Sequence, residues 1–400
     1  MPDRAAGHAA TIAFEHVTKH YDARGQKDGA AGAVNDLSLA VPAGRICVLV
    51  GPSGCGKTTS LKMVNRLIEP TSGRILIDGA DAAARDMTEL RRGIGYVIQQ
   101  VGLFPHETIA ENVATVPRLL GWPVPRRRER AEELLALVGL DPATYASRYP
   151  VQLSGGERQR LGVARALAAD PPIMLLDEPF GAVDPIVRER LQDEFLRLQE
   201  SLAKTILFVT HDIDEAIKMG DLVAVLAEGG ILAQFAPPAE ILASPASPFV
   251  ARFVGSDRGL KRLSLSRVAD LELLHPVTAR MGEVGSEELR RATAGSFPWL
   301  LLVDELDRPV TWIAHDRIRP GEPLGDAHAS PAAPLLDRRA TLKDALSLLL
   351  DADVHAGIVV DRDRRVLGLV TVAGIAGLLR ETGPTRAPDG ADELATGSPG

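Results

Sequence analysis

Residues 51–59 read Gly51, Pro52, Ser53, Gly54, Cys55, Gly56, Lys57, Thr58, Thr59. This is the spacing G-x-x-x-x-G-K-[ST], placed after an apolar run and before a helix-forming stretch. The glycines let backbone N–H groups turn inward around phosphate oxygens. The helix N-terminus adds partial positive charge. Lys57 is suited to neutralise β and γ phosphates, and the Thr58 hydroxyl to coordinate Mg²⁺. The chemistry indicated is the binding of MgATP.

A second group is Ile173, Met174, Leu175, Leu176, Asp177, Glu178. Here a buried strand ends in two carboxylates. Asp177 suits a Mg²⁺ shell. Glu178, one residue on, can polarise an attacking water as general base. By itself an acidic pair after a strand also serves as a turn or a helix cap; beside a phosphate loop the catalytic reading gains weight. A third group is Leu153, Ser154, Gly155, Gly156, Glu157, preceding a helix at 158–168. It can be a second backbone anion site or a simple helix cap by Ser154. One nucleotide does not need two phosphate sites in one chain. A head-to-tail homodimer, in which each copy's second site covers the other's ATP, resolves that.

These residues need elements to carry them. Residues 12–17 and 33–41 alternate as strands do, with a polar loop at 22–32 between them. Residues 45–50, 173–176 and 205–210 are short apolar runs suited to buried strands. Helices are expected from 56–59 to before Pro70, over 126–140 with a basic start, and over 186–202. Residues 102–170 are helical in character. Strand and helix alternate, giving an α/β core with a helical insertion. Past 249–263 the character changes. Two similar units follow, 298–318 and 340–379, each with a strand, an Asp/Arg turn, a second strand and a helix start. Residues 319–333 read as a linker between them, and the polar tail at 381–400 as disordered.

The 400 residues suggest two or three domains, with 45% hydrophobic residues to fill their cores. Cys47 and Cys55 are too few and too close for a disulfide framework. Lys and Arg total 45 against 53 Asp and Glu, a net charge of −8, which disfavours nucleic acid as a partner. The basic cluster Arg126, Arg127, Arg128, Arg130 is interleaved with Glu129, Glu132 and Glu133, as on a solvated helix face. No apolar run approaches the ~20 residues of a membrane helix. No signal peptide is read at residues 1–11. A membrane role would therefore run through a partner.

With its motifs in this order, the chain resembles the nucleotide-binding subunit of an ATP-binding cassette (ABC) transporter over about residues 12–255. The resemblance implies a P-loop NTPase cassette with a helical subdomain. It implies that Tyr21 stacks on adenine, and that Gln99 touches Mg²⁺ and water and reports to the membrane subunit. It makes Leu153, Ser154, Gly155, Gly156 and Glu157 the signature that contacts ATP in trans. Asp184 falls in the loop linking two copies, and His211 is the switch that contacts the γ-phosphate. The signature ends in Glu157 where glutamine is common, and the loop after Tyr21 is long.

Residues 267–380, after a linker at 256–266, resemble a tandem CBS module of α+β fold, a class that often binds adenosine-type ligands. The first repeat is degenerate, with Trp312 and His315 where small or hydroxyl residues are usual. In nucleotide-binding members a Gly-x-x-Thr-x-x-Asp segment supplies the ribose carboxylate. Gly368 and Thr371 match, but Gly374 stands at the Asp position. The missing charge-assisted bonds are worth about 1.5–3 kcal/mol each. The module is then expected to sense ionic strength, to bind a nucleotide differently, or only to dimerise.

A cassette followed by such a module resembles the ATPases of importers for quaternary amine osmoprotectants: glycine betaine, carnitine, choline and proline-like solutes. That likeness implies permease subunits and an extracytoplasmic solute-binding protein as partners, and a peripheral place on the cytoplasmic membrane face. An importer of another small solute, or a soluble ABC ATPase with CBS-based sensing, are the alternatives the sequence leaves open.

Overall fold

The computed structural model describes residues 9–21, 33–98, 102–181, 183–294, 297–325, 330–331, 334–352 and 354–381. The expected loop at 22–32 and the tail from 382 lie outside them. The chain forms two compact units, 1–256 and 257–400.

The first unit is built on a six-stranded sheet ordered Ile231–Ala236, Leu222–Ala227, Ile46–Val50, Thr205–Thr210, Ile173–Asp177, Ile94–Val97. All pairings are parallel except that of Ile231–Ala236. Strands Ile46–Val50, Ile173–Asp177 and Thr205–Thr210 are buried along their whole length. That explains their unbroken apolar runs, since a parallel sheet is covered on both faces. Helix Lys57–Val64 packs on one face with Leu61, Met63 and Val64 in the core. The helices of the insertion, including Val124–Leu137 and Gly155–Leu167, bury Leu134, Leu135 and Leu161 on the other. A separate antiparallel sheet joins Val34–Val41, Ile12–Lys19, Ser72–Ile77 and Ala80–Asp81.

The second unit repeats one β-α-β-β order twice. Strand Val277–Arg280, helix Glu287–Ala292, and strands Trp299–Val303 and Pro309–Ala314 form the first copy. Strand Leu335–Asp337, helix Leu342–Leu350, and strands Ala356–Val360 and Val366–Thr371 form the second. In each copy the first strand is parallel to the second and the third antiparallel. The copies share a turn. Asp304 Oδ1 accepts from Leu306 N and Arg308 N; Asp361 Oδ1 accepts from Asp363 N and Arg365 N. This unit is the α+β tandem module that the sequence suggests.

Three details differ from the sequence reading. Both repeats begin earlier, because their first strands are too short to show alternation. The first copy ends in a single 3₁₀ turn, His315–Arg317, where the second has a full helix, Val372–Glu381. Within the stretch read as a linker, Arg258–Leu265 is a helix whose Leu263 is fully buried in the second unit's core. Its one buried leucine among basic residues gave too little apolar period to read. Likewise Leu324, inside 319–333, packs in the core beside Leu300 and Leu302.

Candidate nucleotide site

Parallel pairing puts the C-terminal ends of three neighbouring strands on one edge of the sheet. In open α/β sheets that edge is where ligands bind. Ile46–Val50 delivers the phosphate loop, Ile173–Asp177 delivers Asp177 and Glu178, and Thr205–Thr210 delivers His211.

The loop's glycines are required by space. A Cβ on Gly51 would strike the Leu226 carbonyl oxygen, and one on Gly56 the Ala33 carbonyl oxygen; Gly56 also has φ of 96°. Gly56 is the residue from which helix Lys57–Val64 starts. Lys57 is 6% exposed, and its Nζ donates to Gly51 O and Pro52 O at 2.8 Å each. The ammonium is thus held inside the loop by the loop's own carbonyls. Cys55 is buried beside it, with Sγ 3.8 Å from Nζ, and burial pushes its thiol pKa up. Cys47 is deeper in the sheet and pushed up to about 12, also by burial. Neither sulfur is a ready thiolate. Ser53 and Gly54 are exposed at the loop's tip, and Thr59 is half-buried.

Thr58 Oγ1 donates to Asp177 Oδ1 at 2.9 Å. Burial raises the Asp177 carboxyl pKa, and the Thr58 bond and Lys62 only partly oppose it. A hydroxyl and a carboxylate oxygen at this distance are hard oxygen donors, a set that fits Mg²⁺ completed by phosphate and water. No cluster of three or more His, Cys, Asp or Glu able to hold a metal occurs among the described residues.

Glu178 sits in the left-handed region, φ 46°, with its N–H donating to Val209 O at 3.0 Å. Its Oε1 lies 3.1 Å from His211 Nδ1. Tyr21 is 49% exposed, and its hydroxyl lies 3.5 Å from Thr59 Oγ1, so its ring stands beside the loop. The structure therefore brings Tyr21, the loop, Asp177, Glu178 and His211 together.

The signature is built differently. Ser154 caps helix Gly155–Leu167 in a capping box: its Oγ accepts from Glu157 N at 3.3 Å, and Ser154 N donates to Glu157 Oε2 at 2.7 Å. The Tyr145 hydroxyl donates to Glu157 Oε1 at 2.7 Å. These bonds, led by that from Ser154 N–H, hold the Glu157 carboxyl pKa below its usual value. Leu153 is buried as an anchor. Ser154 and Glu157 bond within this cap and none of those bonds reaches the phosphate loop. Both sequence readings of Ser154, cap and anion site, are compatible with this geometry. Asp184 is exposed and caps helix Pro185–Leu202 through Ile186 N at 3.0 Å. Gln99 lies outside the described residues.

The chain matches the ABC transporter family over residues 34–181. It is 45% identical over 377 residues to the osmoprotectant import ATP-binding protein OsmV of Salmonella typhimurium, covering 94% of this chain and 97% of that protein. The chain belongs to the ABC transporter ATP-binding subunits. It is 43% identical over 376 residues to the glycine betaine/carnitine/choline transport ATP-binding protein OpuCA of Bacillus subtilis, covering 93% of this chain and 97% of that one. The first unit is similar to the ATP-binding cassette MJ0796 in a dimeric post-hydrolysis state bound to ADP and Pi. That match has a TM-score of 0.51 and 34% identity, over 57% of this chain and 98% of the other. This cassette is an ATP-binding, ATP-hydrolysing transporter subunit. No described helix is long and apolar enough to cross a membrane.

Sequence reasoning missed what surrounds the site. Arg188, Gln192 and Glu215 connect the helices that leave it. The acidic start of Ile213–Met219 was the available signal, but a buried carboxylate looks like any exposed one in a sequence.

Proposed function

We propose that this cassette is the ATPase of an importer for quaternary amine compatible solutes such as glycine betaine, carnitine, choline and proline. The supporting observation is that likeness to the osmoprotectant relatives runs through both units, not the ATPase alone. The chain would work as a homodimer on the cytoplasmic membrane face, with permease subunits and an extracytoplasmic solute-binding protein as partners.

In this reading Lys57 leaves the Gly51 and Pro52 carbonyls for the β and γ phosphates, while Gly51, Ser53, Gly54, Cys55, Gly56, Thr58 and Thr59 surround the phosphates. Tyr21 stacks on adenine. Thr58 and Asp177, with Gln99, would hold Mg²⁺. When bound, that ion offsets phosphate charge as the bond to the γ-phosphate breaks. Glu178 takes the proton from the attacking water. His211 orients Glu178 through the 3.1 Å contact and reaches the γ-phosphate. Leu153, Ser154, Gly155, Gly156 and Glu157 of the second copy close over the nucleotide, using backbone N–H groups and the helix N-terminus. Asp184 meets the second copy.

The CBS-type module is proposed to tune the ATPase to ionic strength or to a nucleotide. Three features support a departure from ribose binding by the usual route. Gly374 offers only its N–H, which donates to Thr371 Oγ1 at 3.1 Å. A Cβ at Gly368 would stand 2.7 Å from Leu273 Cβ, so that position is closed by packing. Trp312 is fully buried among residues of both repeats.

The deciding experiment is transport in vesicles holding the chain and its neighbouring permease, against a panel of solutes. ATP-dependent uptake of a quaternary amine is expected. Uptake confined to a chemically different solute overturns the cargo reading and leaves the ATPase reading standing.

A further inference from the structure

Two helices leave the nucleotide edge of the first unit. Pro185–Leu202 follows Asp184, and Ile213–Met219 follows His211 and Asp212. Side chains lace them together over three steps. At the site end, Arg188 Nη2 donates to Val183 O at 3.1 Å, and Arg188 Nη1 lies 3.9 Å from Asp212 Oδ2. One turn on, Gln192 Nε2 donates to Glu215 Oε1 at 3.0 Å, with both residues buried. Beyond that, Lys218 Nζ pairs with Asp193 Oδ1 at 2.7 Å and donates to Glu189 O at 3.4 Å.

The middle step anchors the others. Glu215 is a carboxylate taken out of water, satisfied by Gln192 and by Thr210, the last residue of the strand before His211. Such a group fixes the spacing of two helices, because any slippage leaves a buried polar group without its partners. Arg188 is then held where its two ends serve two loops. One end holds the carbonyl beside Asp184, and the other faces the carboxylate beside His211. Its Nε is buried with no hydrogen-bond partner among the described residues. A buried donor left unpaired calls for an explanation. Here the guanidinium is placed for the two loops rather than for its own complete solvation. Lysine carries a single point charge and could serve one end at a time, whereas the planar fork serves both.

We propose that Arg188 is a positioning residue for ATP hydrolysis. Its guanidinium ties the Val183 carbonyl to Asp212, so that the loop carrying Asp184 and the loop carrying His211 shift as one body. The inference rests on the reading above, in which Asp184 meets the second copy and His211 orients Glu178. Under it, closure of the second copy on Asp184 is passed to the His211–Glu178 contact without passing through the nucleotide. Glu215 and Gln192 keep the two helices in the register the bridge needs.

The test is a cycle on the full-length chain with Arg188→Ala, Arg188→Lys, Asp212→Asn and the Arg188→Ala/Asp212→Asn pair. Readouts are kcat, KM for ATP, affinity for a fluorescent ATP analogue, and Tm. Asparagine keeps the helix cap that Asp212 provides, so Asp212→Asn isolates the charge. Arg188→Ala is expected to lower kcat about tenfold with KM and analogue affinity changed less than about twofold, the pattern of an interaction that matters in the transition state. Arg188→Lys recovers part of that loss. The pair is expected to lose no more kcat than the worse single variant, because the two act as one bridge. Unchanged kcat in Arg188→Ala, or losses that multiply in the pair, overturns the proposal. So does a kcat loss that only follows a fall in Tm. If Arg188→Ala does not fold, the same cycle with Arg188→Lys decides. A wild-type chain that hydrolyses no ATP would instead sink the ATPase reading.

Discussion

Glu178 Oε1 stands 3.1 Å from His211 Nδ1, and the two residues come from the ends of adjacent parallel strands. The contact depends on the left-handed backbone at Glu178, φ 46°, which a non-glycine residue adopts only when its surroundings hold it there. The Glu178 N–H bond to Val209 O is part of that hold. Glu178→Gln keeps the shape and removes the base. ATPase activity should fall by about 10²–10⁴-fold, the usual contribution of general base catalysis. Analogue binding should persist, and size-exclusion chromatography with MgATP should show an accumulated dimer. Turnover at the parent rate would remove Glu178 from the role of base.

Lys57 carries the second prediction. Its ammonium is 6% exposed and bonded to two loop carbonyls. Lys57→Ala removes the charge that phosphates require and leaves those carbonyls to water. Affinity for a fluorescent ATP analogue should fall more than about tenfold, since a charge-assisted bond is worth about 1.5–3 kcal/mol. Lys57→Arg should not restore it, because a planar fork does not fit a pocket that closes around a point charge.

Much of this site was legible because the phosphate loop must be written as one contiguous stretch. Gly51, Gly56, Lys57 and Thr58 act together through local backbone geometry. Asp177 was legible from its place at a strand end, and His211 only through the family resemblance. The partners that tune them were not. Arg188 meets Asp212 and Gln192 meets Glu215 only after two helices pack. In the second unit, the turns at Asp304 and Asp361 showed the repeat, since an Asp accepting from its following N–H groups is a local device. Strands Val277–Arg280 and Leu335–Asp337, of four and three residues, carry no readable period.

Glu215 supplies a pH prediction. Burial raises its pKa most and Asp212 adds to this, while Thr210, Gln192 and Arg188 oppose. A raised folded pKa means the folded state favours the protonated form. That stabilisation is present below the unfolded pKa and is lost as pH rises through the folded value. Glu215→Gln keeps an acceptor for Gln192 and removes the charge. It should melt higher than the parent at pH 8, and the gap should close as pH falls towards 4. A gap that widens at low pH would contradict the burial argument.

Ser154 should separate stability from hydrolysis. Its capping bond to Glu157 N is worth about 1 kcal/mol, so Ser154→Ala should lower the Tm of the first unit modestly. If Ser154 also covers the second copy's nucleotide, hydrolysis should fall far more than that loss of stability explains, and MgATP should no longer drive dimerisation of the Glu178→Gln chain. Glu157→Gln retains both halves of the capping box and should melt close to the parent. A Ser154→Ala chain that hydrolyses and dimerises normally would leave this residue a cap and nothing more.

Trp312 tests what fills the second unit. It is fully buried, packs edge-on to Phe297 with ring centroids 5.6 Å apart, and joins Leu301 and Val303 of one repeat to Ala356 and Ile358 of the other. Its Nε1 has no hydrogen-bond partner among the described residues. Trp312→Ala should cost about 3–5 kcal/mol through the cavity it opens. Trp312→Phe discards an unpaired donor along with some volume, and should cost about 1–2 kcal/mol. Calorimetry of the full chain can assign the loss, because ATP should raise only the transition of the first unit. The transition that ATP leaves in place should move with Trp312→Ala, and hydrolysis by the isolated chain should stay near the parent rate. Equal costs for the alanine and phenylalanine variants would mean the indole N–H has a partner after all, and that the tryptophan is held there by polarity as well as by volume.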